Sequence, residues 1–115
     1  MATTYKILGQ INPSSGNINT EATLYSPSNT ANATGAVVST ISVCNTGSAA
    51  ATYNIAIRQG GSSLSTKQYL CYSVTIPGYT TTTYTIGVTL AATDVIGVYT
   101  SSSNLAVQAF GSELS

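Results

Sequence analysis

The sequence contains no histidine and no tryptophan, and its Lys, Arg, Asp and Glu residues make up 5% of the chain. Three cations balance three anions, so the formal net charge at pH 7 is zero. Histidine is the side chain that most often acts as a general acid or base, and Ser-His-Asp and Cys-His arrangements require it. These absences exclude the commonest catalytic arrangements and predict a protein that is not an enzyme.

The chain also has few residues that could hold a metal or a cofactor. A zinc site needs four ligands, and the sequence offers only Cys44 and Cys71, with no histidine. Calcium prefers several carboxylates, whereas Glu21, Asp94 and Glu113 lie far apart along the chain. We therefore expect no metal, no cofactor and no catalytic carboxylate pair, and we expect Asp94 to accept hydrogen bonds at a hairpin corner.

Basic and apolar segments are equally scarce. Lys6, Arg58 and Lys67 are scattered and cannot form the basic patch on which nucleic-acid affinity depends. No run approaches the about eighteen apolar residues of a membrane-spanning helix, and the N-terminus lacks the pattern of a secretory signal. We expect synthesis in the cytoplasm and no binding to nucleic acid or membrane. Both cysteines fall in predicted strands, which favours buried free thiols and leaves a disulfide as the alternative.

What the sequence does contain is an apolar and polar alternation of period two, with nineteen threonines and sixteen serines. This pattern is typical of β-strands, and turn residues recur at intervals that suit a sandwich. We predict an all-β fold of seven to eight strands, an antiparallel β-sandwich of jelly-roll or immunoglobulin-like type, in a single domain. The predicted strands are Tyr5–Gln10, Thr20–Tyr25, Gly35–Asn45, Thr52–Gln59, Lys67–Ile76, Thr81–Leu90, Val95–Thr100 and Leu105–Gly111. Residues 1–12 form an N-terminal strand or arm, and residues 13–115 form the sandwich.

Strict alternation assigns each strand an inner and an outer face. It places Val37 with Ile41 and Val43 on one face, and it turns Tyr72 and Ile86 inward. The eight tyrosines divide in the same way, since Tyr25, Tyr53, Tyr72 and Tyr84 are predicted in the core. The rest are predicted mainly at subunit contacts, where tyrosine is enriched, with core packing or a sugar ligand as alternatives. The candidate interface residues are Tyr5, Lys6, Ile7, Leu8, Tyr69, Tyr79 and Tyr99.

Seven stretches carry a likeness to a known group of proteins: Thr4–Gln10, Thr23–Tyr25, Val37–Asn45, Thr52–Arg58, Lys67–Leu70, Thr89–Val95 and Phe110–Glu113. Read together, they resemble small virion structural proteins of tailed bacteriophages, particularly those that infect cyanobacteria and marine bacteria. The resemblance spans nearly the whole chain and consists of strand patterns. It implies no catalytic residues.

The resemblance implies a capsid decoration (cement) protein, located in the virion, that binds across junctions between capsomers. Its expected partners are the major capsid protein or other virion proteins, and we expect a homo-oligomer, with a trimer favoured. The segment Ala2–Pro13 is expected to add a strand to a partner. Two alternatives stay open: a tail-fibre or baseplate component that contacts host glycans through tyrosines, and a pilin subunit, which would need an export leader.

Overall fold

The computed structural model describes residues 2–14 and 16–115, and strands dominate this part of the chain. The strands are β1 (Thr3–Ile11), β2 (Ala22–Tyr25), β3 (Gly35–Asn45), β4 (Ala51–Arg58), β5 (Tyr69–Ile76), β6 (Thr81–Ala91), β7 (Val95–Thr100) and β8 (Leu105–Leu114). Short 3-10 turns occur at Pro27–Asn29, Gln59–Gly61 and Thr66–Gln68, and the described residues contain no α-helix. The prediction of an all-β fold of seven to eight strands is confirmed, and the structure has eight.

The eight strands form two antiparallel sheets of four strands each, which makes the molecule a β-sandwich. The front sheet has the order β1-β8-β3-β6, and the back sheet has the order β2-β7-β4-β5. The segment 1–12 supplies β1, which pairs with β8 of the same chain from Thr3 to Ile11. The sandwich therefore includes the segment that the sequence analysis separates from it, and the four edge strands are β1, β6, β2 and β5.

The core lies between the two sheets and consists of aliphatic side chains with a few tyrosines. Tyr53, Ile41, Ile55, Ile96 and Leu105 are among the largest side chains that are fully buried there. Each comes from a strand that directs alternate side chains into the space between the two sheets, as expected of a sandwich. Both cysteines are free thiols, with Cys71 buried and Cys44 half-buried.

A row of β-bulges crosses the front sheet and changes which side chains face the core. The register shifts at Leu8 in β1, at Ser39 in β3, and at Ile86 and Gly87 in β6. A single extra residue, as at Leu8 and Ser39, reverses the alternation beyond it, whereas the two extra residues of β6 leave the alternation on either side unchanged and place Ile86 within the irregular segment. Val38 is consequently buried while Val37 is 37% exposed, and Ile86 is 39% exposed. The predictions that Val37 shares a face with Ile41 and that Ile86 points inward are therefore wrong.

A second irregularity bends β5 in the back sheet. Ser73 has a φ angle of 51°, in the left-handed region, and the register between β4 and β5 shifts beside it. Cys71 is buried as a result, whereas Tyr72 is 65% exposed. The prediction of Tyr72 in the core is wrong because strict alternation does not survive this bulge. Tyr25 and Tyr53 are buried as predicted, and Tyr84 is partly buried against the core.

Candidate functional site

Internal contacts engage five of the six charged side chains. Lys6 Nζ lies 3.0 Å from Glu113 Oε1, and the two residues come from β1 and β8. Arg58 Nε and one terminal nitrogen donate to the two carboxylate oxygens of Glu21 at 2.7 and 2.9 Å. This second contact is bidentate, a geometry that fixes both partners.

Each of the two paired carboxylates also accepts a hydrogen bond from a tyrosine. The Tyr99 hydroxyl donates to Glu21 at 2.9 Å, and the Tyr25 hydroxyl donates to Glu113. Burial alone would raise the pKa of Glu21 and Glu113, but these hydrogen bonds and the paired cations outweigh it and hold each pKa below the ordinary value. Burial, followed by the bond to Glu21, raises the pKa of Tyr99 to about 12.

Asp94 has a structural role in a turn, as the sequence predicts. Its Oδ1 accepts from the Gly60 backbone at 2.7 Å, and its Oδ2 accepts from the Ala91 backbone at 2.8 Å. It thus holds the β6–β7 corner against the turn that follows β4.

Lys67 is exposed, and the ion pairs found among the described residues do not include it. The surface is therefore almost free of charge that is not already neutralised.

The outer side of the front sheet carries no charged residue across three successive rows. Partners in the antiparallel register share a face, so each row can be followed from strand to strand. We call these twelve residues the uncharged face. They are Tyr5, Ser112, Val37 and Thr89 in the first row, Ile7, Phe110, Thr40 and Thr85 in the second, and Gln10, Gln108, Ser42 and Thr83 in the third.

Apolar side chains form one end of the uncharged face, and hydroxyls and amides form the other. Tyr5 is 85% exposed, Ile7 is 52% exposed, and the half-buried Phe110 lies directly opposite Ile7 on the next strand. At the polar end, Gln10 donates to Gln108 at 2.8 Å across the two strands. The uncharged face thus joins exposed apolar surface to groups that can exchange hydrogen bonds with a partner.

The structure brings only part of the predicted interface set to this face. Tyr5 and Ile7 lie on it, while Lys6 turns to the opposite side of β1 and pairs with Glu113. Leu8 is the bulged residue of β1 and is buried in the core at 8% exposure. Its place in the interface set is corrected, because a side chain enclosed by its own chain offers no surface to a partner.

The remaining predicted interface residues lie elsewhere. Tyr99 is 3% exposed and bonded to Glu21, so its side chain, like that of Leu8, is covered by its own chain and offers almost no surface to a partner. Tyr69 is half-buried on β5 and makes an edge-to-face contact with Tyr72 at 4.8 Å between ring centroids. Tyr79 is 77% exposed in the turn before β6, with a φ angle of 56°. Neither Tyr69 nor Tyr79 belongs to the uncharged face.

Two apolar residues of the uncharged face, Phe110 and Val37, were not among the interface residues predicted from the sequence. Phe110 follows the inward positions Leu105, Val107 and Ala109 at the next outward place, so the alternation of β8 alone could have found it. Val37 had no such signal, because its outward direction depends on the bulge at Ser39. The ion pairs were also missed, since Lys6 and Glu113 are 107 positions apart.

A shallow cleft of about 440 Å³ lies beside β5, away from the uncharged face. Lys67, Tyr69 and Leu70 form part of its wall, together with Gln68, whose side-chain oxygen accepts from the Ser65 backbone at 2.9 Å. Among the described residues, no group of three His, Cys, Asp or Glu side chains is placed to hold a metal ion. No helix in this part of the chain is long and apolar enough to cross a membrane.

Comparison of the chain with protein-family models, with curated proteins and with solved structures finds no match.

Proposed function

We propose that this chain is a non-enzymatic structural subunit of a tailed-phage virion. Its most specific form is a capsid decoration protein that binds across capsomer junctions and stabilises the head. The observation that supports an assembly role is the uncharged face, with Tyr5, Ile7 and Phe110 at its apolar end. The sequence resemblance described above supports the assignment to a phage particle.

Burying the uncharged face against a partner requires no ion to leave water. Removing an unpaired charge from water costs several kcal/mol, whereas apolar surface gains about 25 cal/mol per Å² when buried. Hydroxyl and amide groups on the same face can exchange their hydrogen bonds with water for bonds to the partner. A face with this composition suits lasting attachment to a protein surface better than catalysis or ion recognition.

The front sheet, whose outer side is the uncharged face, also has the rigidity that a stabilising subunit needs. The uncharged face is backed by a sheet that packs on a continuous hydrophobic core. A rigid sheet loses little conformational freedom when it binds, so more of the contact energy is available to hold neighbouring capsomers together. Many copies of this chain, each bound across a junction between capsomers, would oppose the outward pressure of packaged DNA.

The test is a single charge placed on the uncharged face and measured on purified particles. Tyr5→Glu should reduce the occupancy of this chain, measured against the major capsid protein, by about tenfold or more, because the partner would bury an unpaired carboxylate. Tyr72→Glu is the matched control, since Tyr72 is a comparably exposed tyrosine on the other sheet. Its occupancy should equal that of the unmodified chain.

Two results would contradict the proposal. Equal occupancy of the Tyr5→Glu and unmodified chains would remove the uncharged face from the attachment. A few copies per particle, confined to the tail in labelled micrographs, would replace decoration of the head by a tail-fibre or baseplate role. Hundreds of copies spread over the head would support decoration.

A further inference from the structure

The β6 strand is an exposed sheet edge without a charged residue along its 11 residues. In the described part of the chain its one hydrogen-bonded neighbour is β3. Its first half, Thr81–Thr85, pairs in unbroken register with β3 before the bulge at Ile86. Unprotected edges of this kind are templates for strand pairing with another chain.

The phase of the β3–β6 ladder decides which backbone groups face the open edge. Asn45 N–H donates to the Thr80 carbonyl at 2.8 Å, so these two residues form a hydrogen-bonded pair. In an antiparallel ladder such pairs alternate with pairs that make no bonds. Thr82 and Tyr84 are therefore bonded to β3, and the backbone N–H and C=O groups of Thr81, Thr83 and Thr85 point away from the sheet.

We propose that two copies of this chain pair through β6, antiparallel, about a two-fold axis at Thr83. This register places Thr83 opposite its own copy and Thr81 opposite Thr85 of the second copy. All three outward-pointing residues then fall in hydrogen-bonded pairs, which gives two bonds in each pair. A two-fold contact needs a surface that complements itself. In this register each outward-pointing N–H and C=O group of Thr81, Thr83 and Thr85 finds a backbone partner on the second copy.

The side chains fit the same arrangement. Thr81, Thr83 and Thr85 are exposed on the outer side of the sheet, and in the pair they would form a ladder of threonines from the two copies. Facing threonines can hydrogen-bond across strands. On the inner side, Tyr84 would lie opposite Thr82 of the second copy. No pair in this segment sets like charges against each other.

The other edge strands suit self-pairing less well. The ladder of β1 with β8 directs Thr3, Tyr5 and Ile7 to its free edge, because Ala2 and Ser115 exchange backbone bonds of 2.8 and 2.9 Å. A two-fold axis at Tyr5 would, however, place Lys6 of each copy diagonally opposite the other, about 7–8 Å apart. The β2 strand has 4 residues, and β5 is bent at Ser73.

Pairing through β6 would join two front sheets into one sheet of eight strands. Four strands about 4.8 Å apart and about ten residues long present a face of roughly 600 Å², less than the about 800 Å² per partner of a standard interface. Two linked copies would double that face and gain avidity. The pairing itself does not depend on what the face binds.

The experiment is a charge swap at the axis, followed by sedimentation equilibrium on the full chain. Thr83→Lys and Thr83→Glu should each raise the dimer dissociation constant by about tenfold or more, because the axis brings like charges together. An equal mixture of the two variants should recover a dimer, since the introduced lysine of one copy then faces the introduced glutamate of the other. Recovery also shows that neither variant fails through misfolding.

Two control variants locate the contact. Ser42→Lys changes the neighbouring residue on β3, on the same face but away from the edge, and should leave the dimer intact. Tyr5→Lys tests the β1 edge and should leave it intact as well. Amide exchange supplies a readout without mutation: protection of Thr81, Thr83 and Thr85 should fall on dilution, while that of Thr82 and Tyr84 should not.

Several outcomes would overturn the proposal. A monomer at every concentration, a trimer, or a dimer that both Thr83 variants leave unchanged would exclude pairing about Thr83. So would dissociation by Tyr5→Lys together with an unaffected Thr83→Lys, which would assign the contact to β1. An equal mixture of Thr83→Lys and Thr83→Glu that stays monomeric would also exclude pairing about Thr83.

Discussion

Asn54 and Ser73 hold the bend of β5 against β4, because Asn54 Oδ1 accepts a hydrogen bond of 2.7 Å from the Ser73 backbone. Asn54 is 6% exposed. Ser73 has the left-handed φ of 51°, a conformation that costs residues other than glycine roughly 1–2 kcal/mol. The side chain of Asn54 therefore replaces the ladder bond that the bulge removes.

Asn54→Ala should reduce the free energy of unfolding by about 1–3 kcal/mol, since it leaves the Ser73 N–H without its acceptor. Urea denaturation of the two proteins measures the difference. Asn29→Ala, at an exposed position, is the control and should change stability by less than about 0.5 kcal/mol. Equal stability of Asn54→Ala and the unmodified protein would show that water or another group supports the bend.

Stability should be nearly constant between pH 6 and pH 8 and should fall as the solution becomes acidic. There is no histidine to titrate in that range. Glu21 and Glu113 have a folded-state pKa below 4.5, so the unfolded chain takes up protons first as the pH falls. Their contribution is present above about pH 4.5 and is lost as the pH drops through the folded-state values.

Urea denaturation at a series of pH values tests this dependence. Glu113→Gln should flatten the acid limb, because that position no longer titrates, and should lower the stability at neutral pH by removing the pair with Lys6. A large change in stability between pH 6 and pH 8 would contradict the prediction.

Gly111→Ala and Gly87→Ala form a matched pair on neighbouring parts of the front sheet. A Cβ at Gly111 would lie 2.0 Å from the Val37 backbone carbonyl oxygen, whereas a Cβ at Gly87 would meet nothing within 4 Å. Gly111→Ala should therefore cost about 1–3 kcal/mol or more, and Gly87→Ala less than about 0.5 kcal/mol. Thermal and urea unfolding measure both, and equal losses would contradict the close approach of β8 to β3.

The strands could be predicted from the sequence, but the faces of several strands could not. Alternation extends through most of Gly35–Asn45 and Thr81–Leu90, and turn residues mark their ends. The bulge at Ser39 has no comparable signature, since a serine fits a regular strand as well as a bulged one. Val37 was therefore assigned to the wrong face, and the bulge at Ser73 misplaced Tyr72 for the same reason.

The candidate site shows the same division. Tyr5 and Ile7 could be chosen from the sequence because they alternate with polar residues on an N-terminal strand. Leu8 could not be separated from them, since only the register shift beside Gly9 turns it inward. The ion-pair partners of Glu21 and Glu113 could not be predicted from the sequence. The order of strands in the sheets, rather than spacing along the chain, brings Arg58 to Glu21 and Lys6 to Glu113.

The internal neutralisation of Lys6, Arg58, Glu21 and Glu113 has a kinetic consequence. With these four charges paired at close range, only Lys67 and Asp94 carry charge outside the ion pairs found among the described residues, so the electric field around the molecule is weak and steers it little towards or away from other molecules. Its encounters would proceed at the rate of unguided diffusion and would be nearly indifferent to ionic strength. Association of such a protein with a partner would depend mainly on shape and short-range contacts, at low and at high salt concentration.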